Sequence, residues 1–161
     1  VIDWKRWGIA SVHKIGDPGD PYLDRYRLLQ TPLFAVYLHR IHRADLEADG
    51  HDHPWWFFRL VLWGSYREWF WPNKDNSGWS GARQRRWLSM GPFSRRAAHR
   101  IDEIYGRLWT LVITGPDHGE WGFWRDGGYI PWRSYLALAE QSRRHGDQPW
   151  NTIVQPGIRD Q

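Results

Sequence analysis

Gly50-His51-Asp52-His53-Pro54-Trp55-Trp56-Phe57-Phe58-Arg59-Leu60-Val61-Leu62-Trp63-Gly64-Ser65-Tyr66-Arg67-Glu68-Trp69-Phe70-Trp71 is the stretch on which the reading of this chain turns. Two imidazoles one residue apart stand immediately before a long apolar and aromatic run. In an extended chain residues i and i+2 share a face, so both rings project side by side into whatever that face encloses. A third histidine, His99, lies in Arg95-Arg96-Ala97-Ala98-His99-Arg100-Ile101, which also reads as a short strand. Two histidines from one strand and one from a distant strand suffice to hold a divalent ion with coordination positions left open.

Period-two alternation dominates the middle of the chain, and Gly, Pro, Asp and Asn punctuate the segments between. Strands are predicted over Tyr22–Gln30, Leu33–Ile41, Trp55–Trp63, Tyr66–Trp71, Gln84–Ser89, Arg95–Ile101, Leu108–Thr114 and Glu120–Arg125. Their regular spacing predicts an all-β sandwich or barrel. Only Trp132–Arg144 reads as a helix, carrying Leu136, Ala137 and Ala139 among polar residues, with Gly146 placed to end it. The expectation is one domain over residues 1–161, with a core of about 22–135 and a loosely packed tail over 147–161.

The strand after the histidines ends at Trp63-Gly64 and the next begins at once, which predicts a tight hairpin. With those two residues at the turn, Arg59 faces Glu68 and Phe57 faces Phe70, and Glu68 shares the inward face with Tyr66. Glu68 is then either a cross-strand ion-pair partner of Arg59 or a metal ligand, and ligation is the favoured reading.

The 161 residues include 14 Trp, 7 Tyr and 6 Phe, a large aromatic area whose indole N–H groups want partners. The formal charge of +4 comes largely from arginines in Arg83-Gln84-Arg85-Arg86 and Arg95-Arg96, and it permits an anionic ligand. With no cysteine, structural disulfides and thiolate ligands are excluded, and a metal must be held by nitrogen and oxygen. No apolar run approaches membrane-spanning length and Val1–Trp7 does not read as a leader, so a soluble, cytoplasmic protein is expected. Among the other histidines, His13, His118 and His145 are given no role. His39 is expected in the core or beside the ligands, and His42 fits either reading.

These residues resemble the cupins, small double-stranded β-helix proteins of the jelly-roll class. Gly50, His51, His53 and Gly64 match the first cupin motif, while Phe57 occupies its Glu position; of the second motif only His99 survives. A fuller pattern adds Tyr37-Leu38-His39-Arg40, Gly64-Ser65-Tyr66-Arg67-Glu68 and Trp109-Thr110-Leu111-Val112-Ile113-Thr114-Gly115-Pro116. It resembles small cupin-like proteins of bacteria and tailed phages over most of residues 22–135. The resemblance implies the fold and a metal, and it implies no particular reaction.

Three neutral imidazoles with open positions suit Fe(II), and the leading enzyme reading is a non-haem metal-dependent oxygenase acting on a small organic substrate. His51, His53 and His99 are its expected ligands. Glu68 is a fourth ligand or acid/base group, Tyr66 a proton or hydrogen-bond donor, and Arg59 an anchor for a substrate anion. Isomerase or lyase chemistry with zinc or manganese would use the same residues. The rival class is a non-catalytic module binding a nucleotide or sugar through Trp55, Trp56, Trp63, Arg95 and Arg96. Nucleic-acid binding through Arg83, Arg85, Arg86 and Trp87 is a weaker reading. A small-molecule ligand and a second copy of the chain are the expected partners.

Overall fold

The computed structural model describes residues 11–47, 49–73, 81–125 and 128–144. The expected tail over 147–161, Val1–Trp7 and His145 lie outside the described residues. The strands are β1 (Ser11–Asp17), β2 (Asp20–Gln30), β3 (Ala35–Ile41), β4 (Gly50–His51), β5 (Phe57–Trp71), β6 (Gly81–Arg85), β7 (Met90–Phe93), β8 (Ala98–Thr114), β9 (Gly122–Arg125) and β10 (Gly128–Pro131). One helix, α1 (Trp132–Arg144), follows them with the bounds its sequence predicts. Among the described residues the fold is therefore all-β with a single helix, as expected. Strands β1, β7 and β10 have no counterpart in the sequence reading, being exposed or only four residues long.

Two long strands organise the sheet. β5 and β8 run antiparallel along their whole lengths, from Phe57 opposite Thr114 to Trp71 opposite Ala98. The first half of this ribbon pairs with β3 and β7, and the second half with β4 and β6. Each long strand thus belongs to both halves of a single ten-stranded curled sheet. This corrects the hairpin expected at Trp63-Gly64, because β5 passes through that point without reversing. It also merges the segments Arg95–Ile101 and Leu108–Thr114 into one strand.

What marks Trp63-Gly64 is a bend. Register shifts fall on both sides of Trp63, and Gly64 adopts a φ of 78°. Inward residues are Phe57, Arg59 and Val61 before the bend and Tyr66 and Glu68 after it, so the period-two phase slips by one. β8 slips in the same way, from His99 and Ile101 to Leu108, Thr110 and Val112, across Gly106 with a φ of 75°. An extra residue in one strand of a pair bends it and strengthens the local twist.

The buried apolar residues form two clusters flanking a central cavity. One joins Phe57, Phe93, Ala97 and Val112, with Trp55 and Phe70 against it, and the other joins Val61, Tyr66, Ile101 and Leu108. No described tryptophan is among the fully buried residues, and Trp56, Trp63 and Trp87 are exposed. Phe and Tyr fill this small interior, whereas an indole is seldom accommodated completely. α1 closes the β9–β10 edge through Tyr135, fully buried and stacked on Phe123 with ring centroids 3.8 Å apart, and through Ala139 one turn on. Leu136 and Ala137 are exposed.

A Cβ at Gly64 would overlap the Arg107 carbonyl in a backbone conformation L residues rarely adopt, whereas one at Gly106 meets nothing within 4 Å. Gly64→Ala is expected to cost about 2–3 kcal/mol in urea unfolding, and Gly106→Asn about 1 kcal/mol or less. Equal effects of the two changes would show that the bend does not depend on this close approach.

Candidate metal centre

His51, His53 and His99 come together. His51 sits on β4 directly opposite His99 on β8, and His53 follows in extended chain just beyond β4. Their ligand atoms lie within 4.8 Å of one another, and the Nε2 atoms of His53 and His99 are 3.0 Å apart. Asp52 lies between the two motif histidines and points to the opposite side, as alternation requires. Its carboxylate accepts hydrogen bonds from the Gly122 amide at 2.8 Å and the Trp124 indole at 3.1 Å, fixing the motif to β9.

Burial keeps the His51 and His53 rings neutral. It lowers His51 to about 4 against the favourable charge of Asp45, and it takes His53 well below its ordinary value, with help from His51 and His99. A neutral imidazole offers a lone pair, which ligation demands. Carboxylates stand behind two of the three rings. Glu68 lies 3.3 Å from His99 Nδ1, and Asp45 lies 3.8 Å from His51 Nδ1. Because the Glu68 carboxylate can only accept, the proton of His99 belongs on Nδ1, which turns the Nε2 lone pair towards His53. Carboxylate behind imidazole is the arrangement that orients metal-ligating histidines, so the residues present fit a divalent ion.

Glu68, the favoured fourth ligand in the sequence, is not among the three clustered residues and is engaged by other partners. Its carboxylate is fully buried and accepts both Arg59 terminal nitrogens, Nη1 at 2.6 Å and Nη2 closer still, and Arg85 Nε at 2.7 Å. Burial alone would raise this carboxyl, but the hydrogen bond from His99 and the Arg59 charge outweigh it and hold the group far below the ordinary carboxylate range. The pairing with Arg59 was expected, though across a hairpin. Along one straight strand nine residues would separate them by roughly 30 Å, and only the bend at Trp63-Gly64 closes that distance.

A cavity of about 280 Å³ opens onto the three rings. Trp55, Arg59 and Tyr66 line it, as do Arg25 and His39, to which the sequence reading gave no ligand-binding role. Tyr66 is buried, and desolvation raises its hydroxyl well above the usual tyrosine range, so it can donate a hydrogen bond but does not serve as a base near neutrality. Arg95 lies on an exposed turn away from the cavity lining, because β8 begins only at Ala98. Of the expected basic stripe, Arg83 covers the Phe70 ring at 4.0 Å and Arg85 pairs with Glu68, whereas Arg86 and Trp87 are exposed.

No protein-family model matches the chain, and no curated protein matches it. Solved structures do. A tryptophan-to-tyrosine variant of Bacillus subtilis oxalate decarboxylase superposes with a TM-score of 0.56 at 12% identity, covering 92% of this chain and 38% of that one. A mannose-6-phosphate isomerase candidate from Ralstonia eutropha JMP134 gives 0.51 at 17% identity, covering 61% and 88%. Fe(II) HppE gives 0.51 at 11% identity over 65% of this chain, which spans little more than half (56%) of the HppE structure. The fold is that of the cupins. Within it, the three histidines occupy the inside of the barrel beside the cavity. At such identities the likeness carries the architecture and no activity.

Two measurements follow from this geometry. His51 is neutral when folded down to about 4 and titrates near 6.5 when unfolded. The unfolded state therefore binds more protons between those values, and stability present above about pH 6.5 is lost as pH falls towards 4. The expected loss from His51 is about 3 kcal/mol by chemical denaturation of the metal-free protein, and flat stability from pH 7 to 5 would contradict it. Arg59→Ala strands a buried carboxylate and is expected to cost roughly 3–5 kcal/mol.

Proposed function

We propose that this cupin-fold protein binds a divalent transition metal through His51, His53 and His99 and acts as a metal-dependent enzyme on a small organic substrate held in the adjoining cavity. The observation that carries the reading is the convergence of three imidazoles on one cavity wall, with a carboxylate behind Nδ1 of two of them. The ion would supply Lewis-acid activation and, as Fe(II), the electrons of an oxygenase reaction; zinc or manganese would direct the same site to isomerase or lyase chemistry.

The chain's own residues supply the rest. Glu68 positions His99, and its bonds to Arg59 and Arg85 keep its charge away from coordination. Tyr66 presents a protonated hydroxyl to the cavity as a hydrogen-bond donor. Phe57, Val112 and Ile101 keep that wall apolar, and Trp55, stacked 6.4 Å from His53, offers a flat face for a substrate. A non-catalytic ligand-binding module remains the second reading, favoured by that same aromatic face. Iron among the candidate metals is supported by the Fe(II) form of one cupin-fold neighbour, HppE. Among the described residues no helix is long and apolar enough to cross a membrane.

Elemental analysis of protein purified without added metal should find about one iron, manganese or zinc per chain, and His53→Ala or His99→Ala should lose it. Glu68→Gln should retain the site but weaken the metal roughly 10–100-fold, as loss of an orienting partner does. Wild-type metal content in His99→Ala would sink the centre. Oxygen uptake by the iron-loaded protein with a small-molecule panel then tests the oxygenase chemistry, and a metal-loaded protein that binds ligands without turnover would favour the module.

A further inference from the structure

Arg25 on β2, His39 on β3 and Thr110 on β8 are register partners across three neighbouring strands, forming one row on the cavity side of the sheet. Among the described residues Arg25 makes no ion pair. Its Nε is buried with no hydrogen-bond partner, and the same holds for His39 Nε2. The nearby carboxylates are engaged elsewhere: Asp24 with His42, Asp45 with Tyr22 and the Ile101 amide, and Glu68 with Arg59, Arg85 and His99. The Tyr37 ring lies 5.4 Å from the guanidinium carbon.

A buried guanidinium without a counter-charge is costly to a folded protein unless something else meets it. Its planar fork matches an oxyanion, and a neutral imidazole beside it can donate one further hydrogen bond. Arg59, expected from the sequence to anchor an anion, cannot be the free cation because Glu68 occupies both its terminal nitrogens. We infer that Arg25 and His39 form an oxyanion subsite, and that the ligand of this cavity is a small organic acid with its anionic head on that pair. Its apolar body would lie against Leu23, Ile41 and Ile101. The inference deepens the proposed function and rests on it for the metal on the facing wall. The anion subsite itself needs no metal.

Metal-free protein, prepared with a chelator, separates the two. Butyrate and propylphosphonate serve as probes, with butyramide as the neutral control, read by thermal shift and calorimetry. At least one acid is expected to stabilise and bind the wild type while butyramide does not, and the one that binds more tightly tells carboxylate from phosphonate. Arg25→Met should weaken that binding at least tenfold, since a hydrogen bond to a charged group contributes about 1.5–3 kcal/mol. The same variant should melt no lower than wild type without ligand, because it removes an uncompensated buried charge. Arg25→Lys, keeping charge but losing the fork, should bind between the two. Equal binding of butyrate and butyramide, no binding of either acid, or unchanged affinity in Arg25→Met or Arg25→Lys overturns the subsite. Zinc titration of the same variants should match wild type; failure of wild type to bind zinc would overturn the metal centre and leave the subsite standing.

Discussion

The Glu68 carboxylate is the point at which the two halves of the barrel are tied together. It is fully buried on the second half of β5 and meets Arg59 from the first half, Arg85 from β6 and His99 from β8. Taking a carboxylate out of water costs several kcal/mol, which a single partner seldom recovers; two guanidinium groups and an imidazole N–H do so collectively. The requirement propagates outward. Arg59 can reach Glu68 only if β5 bends, the bend needs Gly64 against the Arg107 carbonyl, and β8 must bend alongside at Gly106 to keep its pairing. The orientation of His99 is thereby set by the element that shapes the sheet.

Much of this was legible in the residues. The i, i+2 spacing of His51 and His53 placed two rings on one face, and a third histidine, His99, stood in a distant segment that reads as a strand. The Arg59–Glu68 pairing was legible too, but its topology was not, since a glycine between two apolar runs looks alike whether the chain reverses or bends. A discriminating signal was present in the phase: inward residues change from odd to even numbers across Trp63-Gly64 in β5 and from odd to even across Gly106 in β8. A tight hairpin would tie its two arms to each other, whereas a matching slip in a distant segment points to two strands bending together.

Two other features escaped for physical reasons. The tryptophan count announces a large aromatic area but not its placement: an interior that also keeps a cavity has room for Phe and Tyr and leaves the described indoles half-buried or exposed. His39 shares its parity with buried Ala35 and is placed inward by pattern; Arg25 shares its parity with buried Leu23 in the same way, a signal the sequence analysis leaves unused. What sequence could not show is that neither finds a partner there, because satisfaction of a polar group depends on every strand around it.

The Asp52 clamp has a consequence for the C-terminal end of the chain. Through Asp52 the histidine motif is bonded to Gly122 and Trp124, and between them Phe123 touches the His51 ring on one side and Tyr135 of α1 on the other. Helix docking and ring placement are therefore thermodynamically linked: whatever free energy an occupant gains by fixing His51 is shared with the contact that seats α1. Amide protons of a helix one layer of side chains away from the cavity would exchange with solvent more slowly when the cavity is filled, so the helix reports occupancy of a site it does not line.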